Sequence, residues 1–290
     1  MREILKGFVD LHVHAGPSIA KRDVDSADLI KAAKAAGYRA VLVKDHYFPT
    51  VMHCQVAQKH FGDDTIDIFG SIVLNNSVGL FNLKAIDTAY NMGAKIAWFP
   101  TVSARNHVAN HKGKFVGSGN SSVDENLVVY VDEQGVMDPA AIEVLKYMAE
   151  KDMVLGTGHG SAWEIDHLIK KALELGVKRI LVSHPHFLIG APFEQIGEWA
   201  KMGAFIELNA AVIKGISTVG SLEWEVHDEM FKHVPLEQII LDSDFGQAGN
   251  GCPVDGMYRY IQALMERNGL SEADINLIGK TNPSNLIDLK

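Results

Sequence analysis

Short apolar segments recur along the whole chain at nearly even spacing, and this repeat limits the fold more than any other feature of the sequence. The segments are rich in Val, Ile, Leu or Phe, which is typical of strands covered on both faces of a parallel sheet. They lie at residues 8–11, 40–43, 69–74, 95–99, 153–156, 179–182, 204–208 and 238–241. From the second segment to the eighth, the mean spacing is about 33 residues, close to the ~30 residues of one strand–helix–strand unit.

Helical patterns fill the intervals between these segments. Apolar residues recur at helical spacing in residues 27–36, 139–150, 163–175 and 193–202. Ser26 and Asp138 precede two of these patterns and are predicted N-caps, and Pro139 suits the first turn after Asp138. Several joints from helix to strand, such as AAGYRAV and ELGVKRI, contain a Gly, which suits the left-handed backbone just past a helix end.

Eight strand–helix units predict one domain of the α/β class over residues 1–290, a (β/α)8 or TIM barrel. Such barrels typically have ~250 residues. An open doubly wound sheet is the alternative, but it more often carries a Gly-rich phosphate loop after its first strand, where this chain has HVHAGPS. We therefore expect the barrel.

One interval is too long for a simple unit. Residues 101–135 are polar and rich in Gly, Ser and Asn, and they predict an insertion after strand 4, at about residues 103–135, with a β-hairpin at its end. Loops after barrel strands lie on the catalytic face, so the insertion could form a lid or rim there. A disordered excursion is the alternative. The tail LSEADINLIGKTNPSNLIDL predicts two short helices that close the bottom or side of the barrel.

Composition narrows the class of partner. Hydrophobic residues make up 47% of the chain and the formal net charge is -9, which is ordinary for a globular protein and argues against a nucleic-acid partner. Cys54 and Cys252 are too few for a disulfide framework. Neither a signal peptide nor an apolar run of membrane-spanning length is recognisable. We expect a cytoplasmic protein with a small-molecule partner, and association of several copies stays open.

Histidine and carboxylate side chains follow at least five of the eight predicted strands. Because these strand ends meet at one rim of a barrel, and imidazole and carboxylate suit Zn²⁺, Mn²⁺ or Fe²⁺, they predict a metal site. The residues are His12 and His14 in DLHVH, Lys44 and His46 in KDH, His159 in GTGHGS, His184 and His186 in SHPH, Glu207 and Asn209 in ELN, and Asp242 and Asp244 in LDSD. Alternation along a strand predicts that His12 and His14 share one face with Asp10.

Two pairs of these residues are alternatives for the same role in the site. Asp244 is preferred to Asp242 because it lies further out along its strand, and His184 to His186 because Pro185 interrupts the strand beyond it. The other histidines are set aside or left as candidates for contact with substrate. Those set aside lie in helical patterns (His53, His60, His167, His227 and His233), and those left as candidates lie in the insertion (His107 and His111).

The chain resembles the amidohydrolase superfamily of metal-dependent (β/α)8 hydrolases. The resemblance rests on DLHVH, GTGHGS, LVSHP, ILDSD and the closing KTNPSNLIDL, and so spans almost the whole chain. Further segments, KDHYFPT, FGSIVLNNSVG and AWFPT, are similar to a poorly characterised amidohydrolase-related family. The segment AGYRAVLVKDH also resembles the polymerase-and-histidinol-phosphatase (PHP) phosphoesterases.

The resemblance implies a ligand set for one or two divalent ions, with zinc first and manganese or iron as alternatives. It assigns His12, His14, His159 and Asp244 to the more buried ion, and His184 to a second ion or to the attacking water. Superfamily members with two ions usually carry a bridging carboxylated lysine or an acid after strand 4 or 5, and this chain has WFPT and GTGH there. Lys44 and Glu207 are candidates for the bridge from other strands, or Lys44 binds a carboxylate or phosphate of the substrate.

The predicted reaction is hydrolysis of an amide, lactone or other ester by a metal-activated water. Asp244 is the predicted general base, and the metal, His184 or His46 is predicted to polarise the carbonyl or phosphoryl oxygen. A PHP-like phosphoesterase and a catalytically inactive metal-binding barrel are the alternatives, and a decarboxylase with a similar site is a further one.

Overall fold

The computed structural model describes residues 3–110, 119 and 122–289. Within these residues, eight parallel strands neighbour one another in chain order, β1 to β8. The strands are β1 Val9–Val13, β2 Ala40–Val43, β3 Asp67–Val73, β4 Ile96–Trp98, β5 Val154–Gly156, β6 Ile180–Val182, β7 Phe205–Asn209 and β8 Ile239–Asp242. Each predicted segment contains one of these strands or overlaps it.

The last strand returns to the first and closes the barrel. Just beyond β8, the Asp244 amide donates to the His12 carbonyl at 2.7 Å, and the His14 amide donates to the Phe245 carbonyl at 2.8 Å. A side chain reinforces this seam, since Asp242 Oδ1 accepts the Leu11 amide at 2.6 Å. The fold is therefore a (β/α)8 barrel, and the open doubly wound sheet is excluded.

Helices surround the barrel, and several of them begin at a side-chain cap. They are α1 Ser26–Ala35, α2 Val51–Phe61, α3 Leu83–Asn91, α4 Arg105–Asn110, α5 Pro139–Glu150, α6 Ala162–Glu174, α7 Phe193–Lys201, α8 Glu225–His233, α9 Pro253–Asn268, α10 Glu272–Asn276 and α11 Asn282–Leu286. Asp138 caps α5 as predicted. The predicted cap Ser26 is wrong, because Asp25 accepts the Asp28 amide while the Ser26 hydroxyl donates to the Gly16 carbonyl.

Short helical turns complete the chain. Within the described ranges, four are 3-10 helices (Glu3–Leu5, Asn76–Val78, Ala210–Val212 and Leu236–Gln238), and one is the π-helix Leu277–Thr281 between α10 and α11. Among the residues that the structure describes, no helix combines the length and hydropathy needed to cross a membrane.

Two apolar layers hold the barrel together. The larger layer lies between strands and helices. The smaller one fills the barrel interior, where Leu11, Leu42, Trp98 and Ile240 pack with Leu286 and Ile287. The tail therefore closes one end of the barrel, and Asn282 Nδ2 fixes it there by donating to the Ile239 carbonyl at 2.7 Å. The opposite end is left to the polar residues that follow the strands.

The segment between β4 and α5 is the long connection that the sequence predicts. It contains α4, and Ala104 pairs with Val128 in a parallel bridge. The predicted hairpin is reduced to a tight turn, closed by one antiparallel bridge between Val131 and Met137. Residues 111–118, 120 and 121, including His111, lie outside the described residues.

Candidate metal centre

The polar residues that follow the strands meet inside the carboxyl-terminal end of the barrel. All are buried, and Asp244, the most accessible, is 8% exposed. They are His12 on β1, His14 after it, Lys44 and His46 after β2, His159 after β5, His184 after β6, Glu207 on β7 and Asp244 after β8. A buried group of this kind needs charge partners or a bound ion.

Three ligand atoms lie where one ion could bind all of them. Asp244 Oδ1 is 3.2 Å from His12 Nε2 and 3.1 Å from His14 Nε2. The ligand atoms of these three residues all lie within 4.8 Å of one another. Tetrahedral ligands at about 2.0–2.1 Å from zinc are separated by about 3.3 Å. The described residues therefore fit a divalent ion in both donor type and spacing.

A shift in strand register brings His12 into this group. The pairing of β1 with β2 shifts between Asp10 and Val13, as at a β-bulge, which commonly redirects a side chain beside a functional site. Leu11 packs in the barrel interior, yet the neighbouring His12 also points inward, with Nε2 3.1 Å from Lys44 Nζ. Simple alternation does not hold along β1, and Asp10 belongs to neither of the possible ligand groups found among the described residues.

Glu207 orients His12. Its Oε1 lies 2.8 Å from His12 Nδ1, so a proton on Nδ1 donates to Glu207 and leaves Nε2 with a lone pair for a metal. Carboxylate partners of this kind are the usual support of metal-binding histidines. Glu207 also belongs to a second possible ligand group, with His12 and His184.

His184 and His159 lie on the far side of the group. His184 Nε2 is 3.7 Å from Asp244 Oδ2, and the rings of His184 and His159 are 5.3 Å apart. His159 joins neither group of atoms within 4.8 Å, but its buried Nε2 has no hydrogen-bond partner among the residues that the structure describes. Its role as a ligand stays a prediction.

His107, which the sequence left as a candidate for contact with substrate, lies beside His159. It lies on α4, is 3% exposed, and its Nδ1 is 2.9 Å from His159 Nδ1. The two rings stack, with centroids 5.0 Å apart. The polar insertion has no apolar repeat that would show which way its side chains point. The contact with His159 is what places His107 beside the site.

Lys44 is a fully buried amine in the centre of the site. Its Nζ lies over the Trp98 ring, 4.3 Å from the ring centroid, and near His12. Burial lowers the pKa of Lys44 to about 8, although the charges of Glu207 and Asp244 oppose this effect. Part of the population therefore carries a neutral amine near neutral pH.

Burial also keeps the site histidines neutral. It is the largest cause that lowers the pKa of His12, His14, His46 and His159. It lowers the pKa of His184 to about 4. Neutral imidazole is the form that binds metal ions, so the fold holds these residues ready for an ion at neutral pH.

The competing acids and histidines have structural partners. Asp10 Oδ1 accepts the His12 and Ser243 amides, and burial raises the pKa of Asp10 to about 7 and that of Asp242 well above its usual range. His186 stacks on Phe193, with ring centroids 4.4 Å apart. His46 lies beside the group, with its ring 5.0 Å from that of His14.

Backbone strain coincides with the two preferred residues. His184 and Asp244 have positive φ angles of 48° and 49°. Such a conformation in a residue other than Gly costs about 1–3 kcal/mol and is found mainly where the surrounding structure enforces it, often at functional sites. Leu80, Asp152 and Asp288 share this conformation elsewhere in the described residues, whereas at His184 and Asp244 it lies in the turns after β6 and β8 that carry site side chains.

A buried histidine outside the site should make the protein sensitive to acid. His227 on α8 is fully buried, with Nε2 2.6 Å from Tyr260 Oη, and burial lowers its pKa from 6.5 to about 4. The unfolded chain thus takes up a proton at a higher pH than the folded protein does. The contribution of neutral His227 to the free energy of unfolding is therefore fully present above pH 6.5. It is lost as the pH falls toward 4, and the loss for this group is about 3 kcal/mol.

The measurement is urea unfolding between pH 7 and pH 4. His227→Gln should lose less stability over this range than the wild type, whereas the same change at exposed His60 should leave the slope unchanged. Equal slopes in the wild type and His227→Gln would contradict the assignment.

The fold and site together define a class: a (β/α)8 barrel with a buried centre of histidine and aspartate at its carboxyl-terminal end. The model of a family of unknown function (DUF6282) matches residues 7–207, and the chain belongs to this family. The matched range contains the predicted site residues from His12 to His184, and Asp244 lies beyond it. A search of curated proteins finds no match.

Solved structures of hydrolases share the fold. An organophosphorus hydrolase from Deinococcus radiodurans is 12% identical, with a TM-score of 0.61, covering 97% of this chain and 91% of its own. An amidohydrolase from Pseudomonas aeruginosa is 12% identical, with a TM-score of 0.62, covering 99% and 97%. A lactonase from Listeria monocytogenes is 12% identical, with a TM-score of 0.63, covering 100% and 96%. These likenesses confirm the fold that the resemblance to the amidohydrolase superfamily implied.

Proposed function

We propose that the protein is a metal-dependent hydrolase of a small molecule. The observation that carries the proposal is the placement of His12 Nε2 and His14 Nε2 around Asp244 Oδ1, at 3.2 Å and 3.1 Å. The barrel end at which they lie is where (β/α)8 enzymes carry their active sites. The structural neighbours named as hydrolases support the same class.

The residues have separate parts in the proposed reaction. A divalent ion held by His12, His14 and Asp244 would lower the pKa of the attacking water toward about 7 and would polarise the bond to be cleaved. Asp244 accepts the proton of the attacking water and later delivers it to the leaving group. His184, which faces Asp244 Oδ2, hydrogen-bonds the oxygen on which negative charge develops, and His46 is the alternative for this part.

The bond type and the ion are finer parts of the proposal. The bond to be cleaved is that of an amide, a lactone or another ester, and neighbours of the fold are named as an amidohydrolase and as a lactonase. Zinc suits the histidine and carboxylate donors, and manganese or iron would suit them too. A second ion would use His184 and Glu207, the two members of the other possible ligand group that the first ion leaves free. The cytoplasmic location and the association of copies stay predictions.

The test is the metal content of the protein purified without added metal. We expect about one or two equivalents of a transition metal in the wild type and loss of the metal in the His12→Ala, His14→Ala double variant, which lacks two of three ligands. A matched double variant, His60→Ala, His167→Ala, removes two histidines outside the site and should keep the metal.

The opposite results have clear meanings. If the wild type holds no metal, and added Zn²⁺ or Mn²⁺ neither binds nor raises the melting temperature, the proposed mechanism is wrong. If metal binds and a panel of lactones, esters and amides is not hydrolysed, release of phosphate from phosphomonoesters would favour the PHP-like alternative. Metal without any turnover would favour the inactive barrel.

A further inference from the structure

Arg22 is a buried cation with an incomplete set of partners. It lies in the loop between β1 and α1, and its side chain is 3% exposed. Nη2 donates to Asp45 Oδ2 at 3.1 Å. Nε and Nη1 are buried and have no hydrogen-bond partner among the residues that the structure describes. A guanidinium group carries five N–H donors, so most of its donor capacity is unused.

The position of Arg22 is at the edge of the metal centre. Its partner Asp45 stands in the chain between Lys44 and His46. On the other side, the Arg22 backbone pairs with Gln247, whose Nε2 donates to Asp244 Oδ1 at 3.0 Å. Arg22 therefore lies between the ends of β2 and β8, which both contribute site residues.

The effect of the Arg22 charge on the pKa of nearby histidines agrees with this position. After burial, the charge of Arg22 is the largest cause that lowers the pKa of His14. It also contributes to the lowered pKa of His46. The positive charge thus acts on the space that these two histidines face.

Asp45 accepts one hydrogen bond from the guanidinium group but leaves Nε and Nη1 without an acceptor among the described residues. Asp45 Oδ1 accepts the Tyr47 amide at 2.9 Å, so its orientation is fixed by its own loop. Only one oxygen is left to accept from Arg22. Burying a charged donor without acceptors is costly, and the planar guanidinium is the side chain best suited to carboxylate and phosphate oxygens.

We propose that Arg22 binds an oxyanion, a carboxylate or phosphate group, on the substrate of this site. The reacting bond would then lie at the metal centre while Arg22 holds the acidic end of the same molecule. The substrate class is an anionic ester, lactone or amide. The identity of the reaction rests on the proposed function, whereas the binding of an oxyanion does not.

Calorimetric titration of the purified protein with sodium acetate and with sodium phosphate tests the binding. We expect one of the two anions to bind the wild type at millimolar concentrations or below, and to bind Arg22→Met at least about tenfold more weakly, since charge-assisted hydrogen bonds are lost. Arg179→Met is the control, because Arg179 pairs with Asp152 at the other end of the barrel and should not affect binding. The stronger anion identifies the acidic group.

A second variant tests the proposal even if Arg22→Met does not fold. Arg22→Lys keeps the charge and the pairing with Asp45 but loses the planar fork, and we expect it to bind the preferred anion at least about threefold more weakly than the wild type. The proposal is overturned if the wild type binds neither anion, or if Arg22→Met, or Arg22→Lys where Arg22→Met is unfolded, binds as tightly as the wild type.

Paired esters separate this inference from the proposed function. Monomethyl succinate carries a free carboxylate, and methyl butyrate is its neutral counterpart. If both are hydrolysed, Arg22→Met should lose rate on the first and keep it on the second. If neither ester is hydrolysed, the anion titration still decides the role of Arg22. If hydrolysis occurs and Arg22→Met changes neither anion binding nor ester preference, the inference fails and the proposed function stands.

Discussion

Replacing Asp244 by Asn should abolish turnover while the barrel stays folded. The amide keeps the shape of the side chain and can still accept the hydrogen bond from Gln247 Nε2, but it cannot take a proton and is a poor metal ligand. General acid–base catalysis alone contributes about 10²–10⁴-fold. We expect kcat/KM to fall by at least about a thousandfold on any substrate found in the ester, lactone and amide panel.

The neighbouring acid provides a matched control. Asp242 is two residues away and fully buried, and burial raises its pKa well above the usual range. Asn keeps the shape of the carboxyl group and can still accept the Leu11 amide. Asp242→Asn should therefore retain most of the turnover. Near-normal turnover in Asp244→Asn, measured beside this control and with an unchanged melting temperature, would remove Asp244 from the mechanism.

Replacing Gly246 by Ala should cause a large loss of stability. Gly246 follows Asp244 and Phe245 at the barrel seam and has a φ of +104°, and a Cβ atom there would lie 1.6 Å from the His14 carbonyl oxygen. That oxygen belongs to backbone, so it moves only if the loop that presents His14 moves as well. We expect a loss of about 4 kcal/mol or more, the range reached by severe backbone and packing conflicts.

A second glycine separates the clash from the cost of the backbone angle. Gly249 has a φ of +91°, and a Cβ atom there would find only Thr218 Oγ1, at 3.8 Å. Gly249→Ala should therefore cost about 1 kcal/mol. Urea unfolding of both variants measures the difference, and metal content shows whether His14 is displaced. Equal losses in the two variants would mean that Gly246 does not approach His14 closely.

The repeat along the chain is enough to predict the barrel. Strands such as Ala40–Val43 and helices such as Pro139–Glu150 were predicted at their observed bounds, because burial on both faces of a strand and on one face of a helix leaves a periodic apolar signal. The rim at which His12, His14, His184 and Asp244 meet follows from the same logic, since parallel strands place their carboxyl ends together.

The details of the site depend on contacts between distant residues. Glu207 supports His12 across 195 residues of chain, and His107 meets His159 across 52. The register shift in β1 that directs His12 inward has no local signature in DLHVH. Asp242 resembles Asp244 in sequence, yet it accepts a backbone amide at the barrel seam.

The sequence by itself therefore determined the repeated units, the barrel and the kinds of side chain at its rim, because these follow from local periodicity and from the order of the strands. Only the tertiary structure decided which donors share a metal site, which carboxyl group supports the seam and where Arg22 has unused donors. Those outcomes depend on closure of the barrel, which brings β1, β2 and β8 together and sets ångström distances that no local pattern encodes.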